Sequence, residues 1–180
     1  MPLSLNQGWL SPARHCESPH QDERPDAEVS LLVVHCISLP PGRFGGPYID
    51  DLFLGRLAPA AHPYFEDIYQ LRVSAHCLIR RDGELVQYVP FHRRAWHAGV
   101  SCFDGRDRCN DFSIGIELEG TDTGDYTNAQ YQRLADVSRM LMCTYPAITP
   151  TRITGHSDIA SGRKTDPGPG FDWKRFRAML

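Results

Sequence analysis

Apolar residues fall in a few short runs separated by long polar stretches rich in Gly and Pro. The densest run, Leu31-Leu32-Val33-Val34, ends in His35 and reads as a strand buried on both faces. Residues 73–80 and 85–89 read as two strands, and the Asp82-Gly83 turn between them marks a hairpin. Residues 94–98 suit a short edge strand, and 112–119 form a further strand in which apolar positions alternate with small or acidic ones. After Thr127 the period changes. Leu134, Val137 and Leu141 recur at helical spacing, and Thr127 with Gln130 fits a capping box, so the spacing predicts a helix over 127–143 ended by Pro146 and Pro150. Shorter elements are expected at 47–54 (a helix opening on a proline), at 64–69, at 152–154 (a strand) and at 172–176. Strands interleaved with helices predict an α/β fold: a single domain over 1–180, with a central mixed β-sheet flanked by helices. Residues 1–28 lack any period and read as an N-terminal arm laid over the surface and pinned by Trp9.

Composition narrows the function classes. The chain has 180 residues, 41% hydrophobic and 23% charged, enough for one ordinary core without staples. A net charge of −3 without a basic run argues against nucleic acid or an anionic membrane as partner. No stretch is apolar enough to span a bilayer, and the N-terminus lacks the build of a signal peptide, so a cytoplasmic monomer is expected. The six cysteines include no C-x-x-C pair, so a zinc knuckle is not expected. Cys36, Cys77 and Cys143 read as small buried hydrophobes, Cys102 and Cys109 bracket a polar loop, and free thiols are expected throughout.

One stretch is too polar to pack a core: residues 155–169, which bring His156, Lys164 and Asp166 close together in sequence. Read alone it is a connector that caps a neighbouring helix. His35 at the end of the first strand changes that reading, because two histidines and a carboxylate on strand ends and loops match an open catalytic zinc site.

Six segments in one order carry a resemblance: Val33-Val34-His35, Ser74-Ala75-His76, Arg81-Asp82-Gly83, Ala95-Trp96-His97-Ala98-Gly99, residues 113–119, and Gly155-His156-Ser157-Asp158 running on to Lys164-Thr165-Asp166-Pro167-Gly168. In these the chain resembles the zinc-dependent N-acetylmuramoyl-L-alanine amidases, most of all those that act on soluble 1,6-anhydro-muropeptides in cell-wall recycling. The same family includes phage amidases and peptidoglycan recognition proteins. The resemblance implies one zinc ion held by His35, His156 and Asp166, the last a harder ligand than the cysteine common in relatives. It implies Glu117 as the group that activates water and Lys164 as the stabiliser of the oxyanion. Tyr64 resembles a tyrosine found near the metal in relatives.

Other candidates rest on residue chemistry. Trp96 suits stacking on a sugar or a place in the core, and Arg72 and Arg108 suit clamps on the carboxylates of a stem peptide or plain surface charges. His76 and His97 are open to being extra metal ligands, but with three ligands already in hand they read as core or cleft-lining histidines. Glu119 shares the parity of Glu117 but stands beside Gly120 and reads as a solvated edge carboxylate. Residues 38–63, crowded with Gly and Pro, read equally as a wall or lid beside the site and as a static surface loop. A non-catalytic peptidoglycan-binding module is the competing function; it predicts a missing ligand, and a structural zinc site predicts four protein ligands.

Overall fold

The computed structural model describes residues 3–180. In chain order its strands are β1 (Ser4–Asn6), β2 (Trp9–Ser11), β3 (Arg14–His15), β4 (Gln21–Asp22), β5 (Leu31–Ile37), β6 (Cys77–Ile79), β7 (Leu85–Gln87), β8 (Arg94–Ala95), β9 (Cys102–Phe103), β10 (Arg106–Asp107), β11 (Ser113–Glu119) and β12 (Ile153–Gly155). The α-helices are α1 (Tyr48–Phe53), α2 (Asn128–Thr144), α3 (His156–Ile159) and α4 (Trp173–Ala178).

Six strands form one mixed sheet in the order β12-β5-β11-β6-β7-β3. β12, β5, β11 and β6 run parallel, β7 returns antiparallel to β6, and β3 lies parallel to β7 at the edge. Parallel strands carry helices on both faces, so β11 is buried along its whole length and β5 from Leu31 to His35. The period of two sorts their side chains. Leu32 and Val34 of β5 and Ile114, Ile116 and Leu118 of β11 share a core with Leu134, Val137 and Leu141 of α2. On the other face, Leu31 and Val33 pack with Phe112 and Ile159. A third cluster joins α1, through Ile49, Leu52 and Phe53, to Leu78, Val86 and Tyr88 of the hairpin.

Local signals hold where they were strong. α2 begins with the full capping box, with Thr127 Oγ1 accepting from the Gln130 N–H at 3.1 Å and the Gln130 side chain accepting from the Thr127 N–H at 3.1 Å. The Asp82-Gly83 turn closes the β6–β7 hairpin, although its strands are shorter than the apolar runs.

Three expectations need correction. The arm at residues 3–28 does not merely lie on the surface. It adds β3 to the main sheet, pairs β4 with β8, and is held by fully buried Leu10 rather than by Trp9. Arg24 goes deeper, donating to the carbonyls of Asn110, Asp111, Phe91 and Ser113, and burial lowers its pKa to about 10. Glu119 is only 2% exposed: it accepts from Arg80 at 3.1 Å and from the Gly45 N–H at 2.7 Å. Cys143 is exposed and Cys36 half-buried, while Cys109 joins Cys77 inside; all six thiols are free.

Candidate active site

His35 on β5 and Glu117 on β11 are register partners near the carboxyl ends of parallel strands, and their side chains leave the same face. β12 ends one residue before His156, which opens α3. Three adjacent strands thus deliver three polar side chains to one edge of the sheet, the usual place for a ligand in such sheets. Asp166 arrives on the loop that follows. Its carbonyl accepts from the Ser157 N–H at 2.9 Å, Tyr126 donates to the Pro167 carbonyl at 2.7 Å, and Thr165 donates to Asp122 at 2.8 Å. Gly168 has φ +80°, and a Cβ there would stand 1.9 Å from the Asp122 carbonyl oxygen, so only glycine lets the loop approach this closely.

The donor atoms converge. His35 Nδ1 and His156 Nδ1 lie 3.0 Å apart, and Asp166 Oδ2 is 3.1 Å from each. A tetrahedral zinc with bonds of about 2.0–2.1 Å requires donor–donor edges of about 3.3 Å, so this near-equilateral triangle fits such an ion. Tautomers fit as well. His156 Nε2 lies 3.1 Å from the Ala98 carbonyl, which can only accept, so the proton sits on Nε2 and the lone pair of Nδ1 faces the triangle. Burial lowers the pKa of His35 to about 4, leaving it neutral as a ligand must be. Asp166 lies well below the usual carboxylate range: burial pushes it up, and the two histidines at its Oδ2 more than offset this, so the carboxylate is ionised. Among the described residues these three form the one group of His, Cys, Asp or Glu donors arranged to hold a metal, which leaves a coordination position open.

The triangle lies in a cleft of about 370 Å³ that also receives Glu117, Lys164, Tyr64, Trp96 and His97. Glu117 is 9% exposed and its Oε2 has no hydrogen-bond partner. Burial pushes its pKa well up, Asp166 adds to the shift, and Lys164 opposes it. Trp96 lines the cleft half-buried, its ring fixed by the indole N–H donating to Asp22 at 3.1 Å. Tyr64 is 42% exposed at the mouth. Arg72 is exposed between Leu71 and Val73, both of which line the cleft. Arg108 stands apart, in a second depression with Val100 and Ile159, paired to Asp111 at 3.4 Å. His76 is buried behind the cleft, its Nδ1 accepting from the Gly115 N–H. Leu39 and Leu52, which line the cleft, lie in the segment read as a wall or lid, whereas Ile68 beside them had no signal in the sequence.

Comparison with known proteins accords with this geometry. The family model described as N-acetylmuramoyl-L-alanine amidase matches residues 25–169. The 1,6-anhydro-N-acetylmuramyl-L-alanine amidase AmpD of Citrobacter freundii is 68% identical over 99% of this chain and 95% of its own. A crystal structure of a selenomethionine AmpD derivative superposes with a TM-score of 0.96 at 67% identity, covering 98% of this chain and 99% of that one. More distant is AmpDh3 from Pseudomonas aeruginosa in complex with anhydromuramic pentapeptide, 30% identical with a TM-score of 0.65, covering 86% of this chain and 61% of that one. With a family match that takes in every member of the donor triangle and Glu117, the chain belongs to the N-acetylmuramoyl-L-alanine amidases.

Proposed function

We propose that this enzyme hydrolyses the amide joining the lactyl group of N-acetylmuramic acid, in its 1,6-anhydro form, to L-alanine in soluble muropeptides. Its setting is then cell-wall recycling in the cytoplasm. The observation that carries the reading is the open triangle of His35, His156 and Asp166 facing a buried, unpartnered carboxyl of Glu117. A non-catalytic binding module has no use for that combination, and a structural zinc site would close the fourth position.

His35, His156 and Asp166 would hold one zinc ion. Bound there, zinc supplies a Lewis acid and lowers the pKa of water toward about 7. Glu117 takes the proton from the attacking water as oxygen adds to the amide carbon. A dication nearby favours the ionised carboxylate, offsetting the upward push of burial. The Lys164 ammonium stabilises the negative charge that develops on the carbonyl oxygen. As the C–N bond breaks, Glu117 passes its proton to the departing nitrogen, leaving a lactyl carboxylate and the free amine of the peptide. The raised affinity of a buried carboxyl for a proton suits both halves of this transfer. In this reading Trp96 and Tyr64, which line the cleft, serve the sugar side, and Arg72, exposed beside it, serves a carboxylate of the stem peptide; Arg108, in a separate depression and paired to Asp111, serves only a stem that runs out of the cleft that far.

The test uses purified protein and an anhydro-muropeptide, with and without a chelator, with free peptide followed by mass spectrometry. Cleavage that stops on chelation and returns with zinc is expected. Asp166→Ala should lose most of its zinc and its activity together. Cleavage unaffected by metal removal, or a fully zinc-loaded Asp166→Ala, sinks this assignment.

A further inference from the structure

His97 has no part in the reaction as written, yet it touches a member of the donor triangle. Its Nδ1 lies 2.8 Å from His35 Nε2, on the side of the His35 ring away from His156 and Asp166. Its own Nε2 lies 3.1 Å from Ser113 Oγ, a side chain that is fully buried. Both nitrogens of His97 are therefore engaged, and neither points into the triangle as a further ligand. The two rings meet edge to face, with centroids 4.9 Å apart at 88°.

Space has been made for this ring. Gly115 of β11 lies beneath it, and a Cβ at that position would stand 2.4 Å from His97 Cγ. The backbone there is fixed from behind, because the Gly115 N–H donates to His76 Nδ1 at 3.0 Å. In front, the backbone N–H groups of His97 and Ala98 donate to Asn110 Oδ1 at 3.1 and 2.8 Å. The Ala98 carbonyl, one residue on, is the acceptor that orients His156. A single stretch, residues 97–98, thus touches the outer nitrogen of both ligating imidazoles.

We infer that His97 is a positioning residue for the metal centre, accepting a hydrogen bond from His35 Nε2–H so that the lone pair of His35 Nδ1 is directed at the metal. The proton order follows from chemistry. A metal on His35 Nδ1 requires the proton on Nε2, His97 Nδ1 must then accept it, and His97 Nε2–H donates to Ser113 Oγ. The inference deepens the zinc reading and rests on it.

Two measurements test it. In zinc-loaded wild-type protein, a 15N–15N coupling through the hydrogen bond between His35 Nε2 and His97 Nδ1 is expected. Zinc affinity, measured by competition with a chromogenic chelator, should fall by about 10–100-fold in His97→Phe, which keeps a ring and removes the acceptor. His97→Asn retains an acceptor oxygen near the position of Nδ1 and should recover most of that loss. Absence of the coupling overturns the inference even if His97→Phe fails to fold. Wild-type zinc affinity in a folded His97→Phe, or an equal loss in His97→Asn, also overturns it. Wild-type protein that takes up no zinc would overturn the metal reading, and with it this one; zinc uptake by wild type and His97→Phe alike removes only the role of His97.

Discussion

A carboxyl with one oxygen buried and unpartnered is costly to maintain, and Glu117 is such a group at the edge of the sheet. Its neighbour of the same parity, Glu119, has its charge matched by Arg80, so the two acids differ in what surrounds them. Lys164 faces the same cleft without an ion-pair partner among the described residues. As base and oxyanion stabiliser, these two should respond differently from the ligands. Glu117→Ala and Lys164→Ala are each expected to retain zinc and to lose kcat by roughly 10²–10³-fold. Zinc content and single-turnover rates measured on the same samples decide this. Near-normal turnover in either variant would return that residue to an ordinary structural role. At this scale the sequence carried the triangle well, because His35, His156 and Asp166 stand in motifs. It could not separate Glu117 from Glu119 by environment: whether an acid at a strand end meets solvent or an arginine depends on residues 80 and 45, far away in the chain.

Elements were legible in proportion to how local their causes are. The capping box of α2 needs only Thr127 and Gln130, and the hairpin turn only Asp82 and Gly83. The two-residue strands β3 and β4 have no local signature, since each exists only because β7 or β8 offers a free edge. The parallel pairing of β5 with β11 likewise joins residues about eighty positions apart, and nothing near either strand announces its partner. Thr127 offers a check on the local kind of cause. Its Oγ1 also donates to the Arg81 carbonyl at 2.7 Å, tying the helix start to the hairpin turn. Thr127→Ala should cost about 1–2 kcal/mol, which for a chain of this size lowers Tm by about 2–8 °C. Because α2 packs on the sheet face opposite His35, kcat/KM should stay unchanged. Thermal unfolding and a rate assay check both halves, and an unshifted Tm would show that the box contributes nothing measurable.

For the molecule as a whole, the question is what the segment 38–63 does to the cleft. Read from its Gly and Pro content, it is a wall or lid over the cleft or else a static surface loop, with equal weight. The packing now distinguishes its two parts. Ile49, Leu52 and Phe53 of α1 are buried in a core with Tyr88, and Glu119 and Arg80 hold the backbone of Gly45 and Gly46. The turn at 41–44 is exposed and borders the cleft through Pro41. Leu39, Leu52 and Phe53 of this segment line the same cleft as Lys164 and Asp166, and a wall there is expected to favour small fragments. A polymeric glycan strand would have to pass beside that wall. Hydrogen exchange should therefore be slow in α1 already in the free protein, and should slow in residues 38–44 only when product is bound. Alongside this, anhydro-muropeptides should be cleaved efficiently and intact peptidoglycan poorly. Efficient release of peptide from the polymer, with exchange in residues 38–44 unaffected by product, would refute both the wall and the preference for small substrates. Protection confined to residues 38–44, with little action on the polymer, would tie substrate size to the part of this segment that carries the exposed turn beside the cleft.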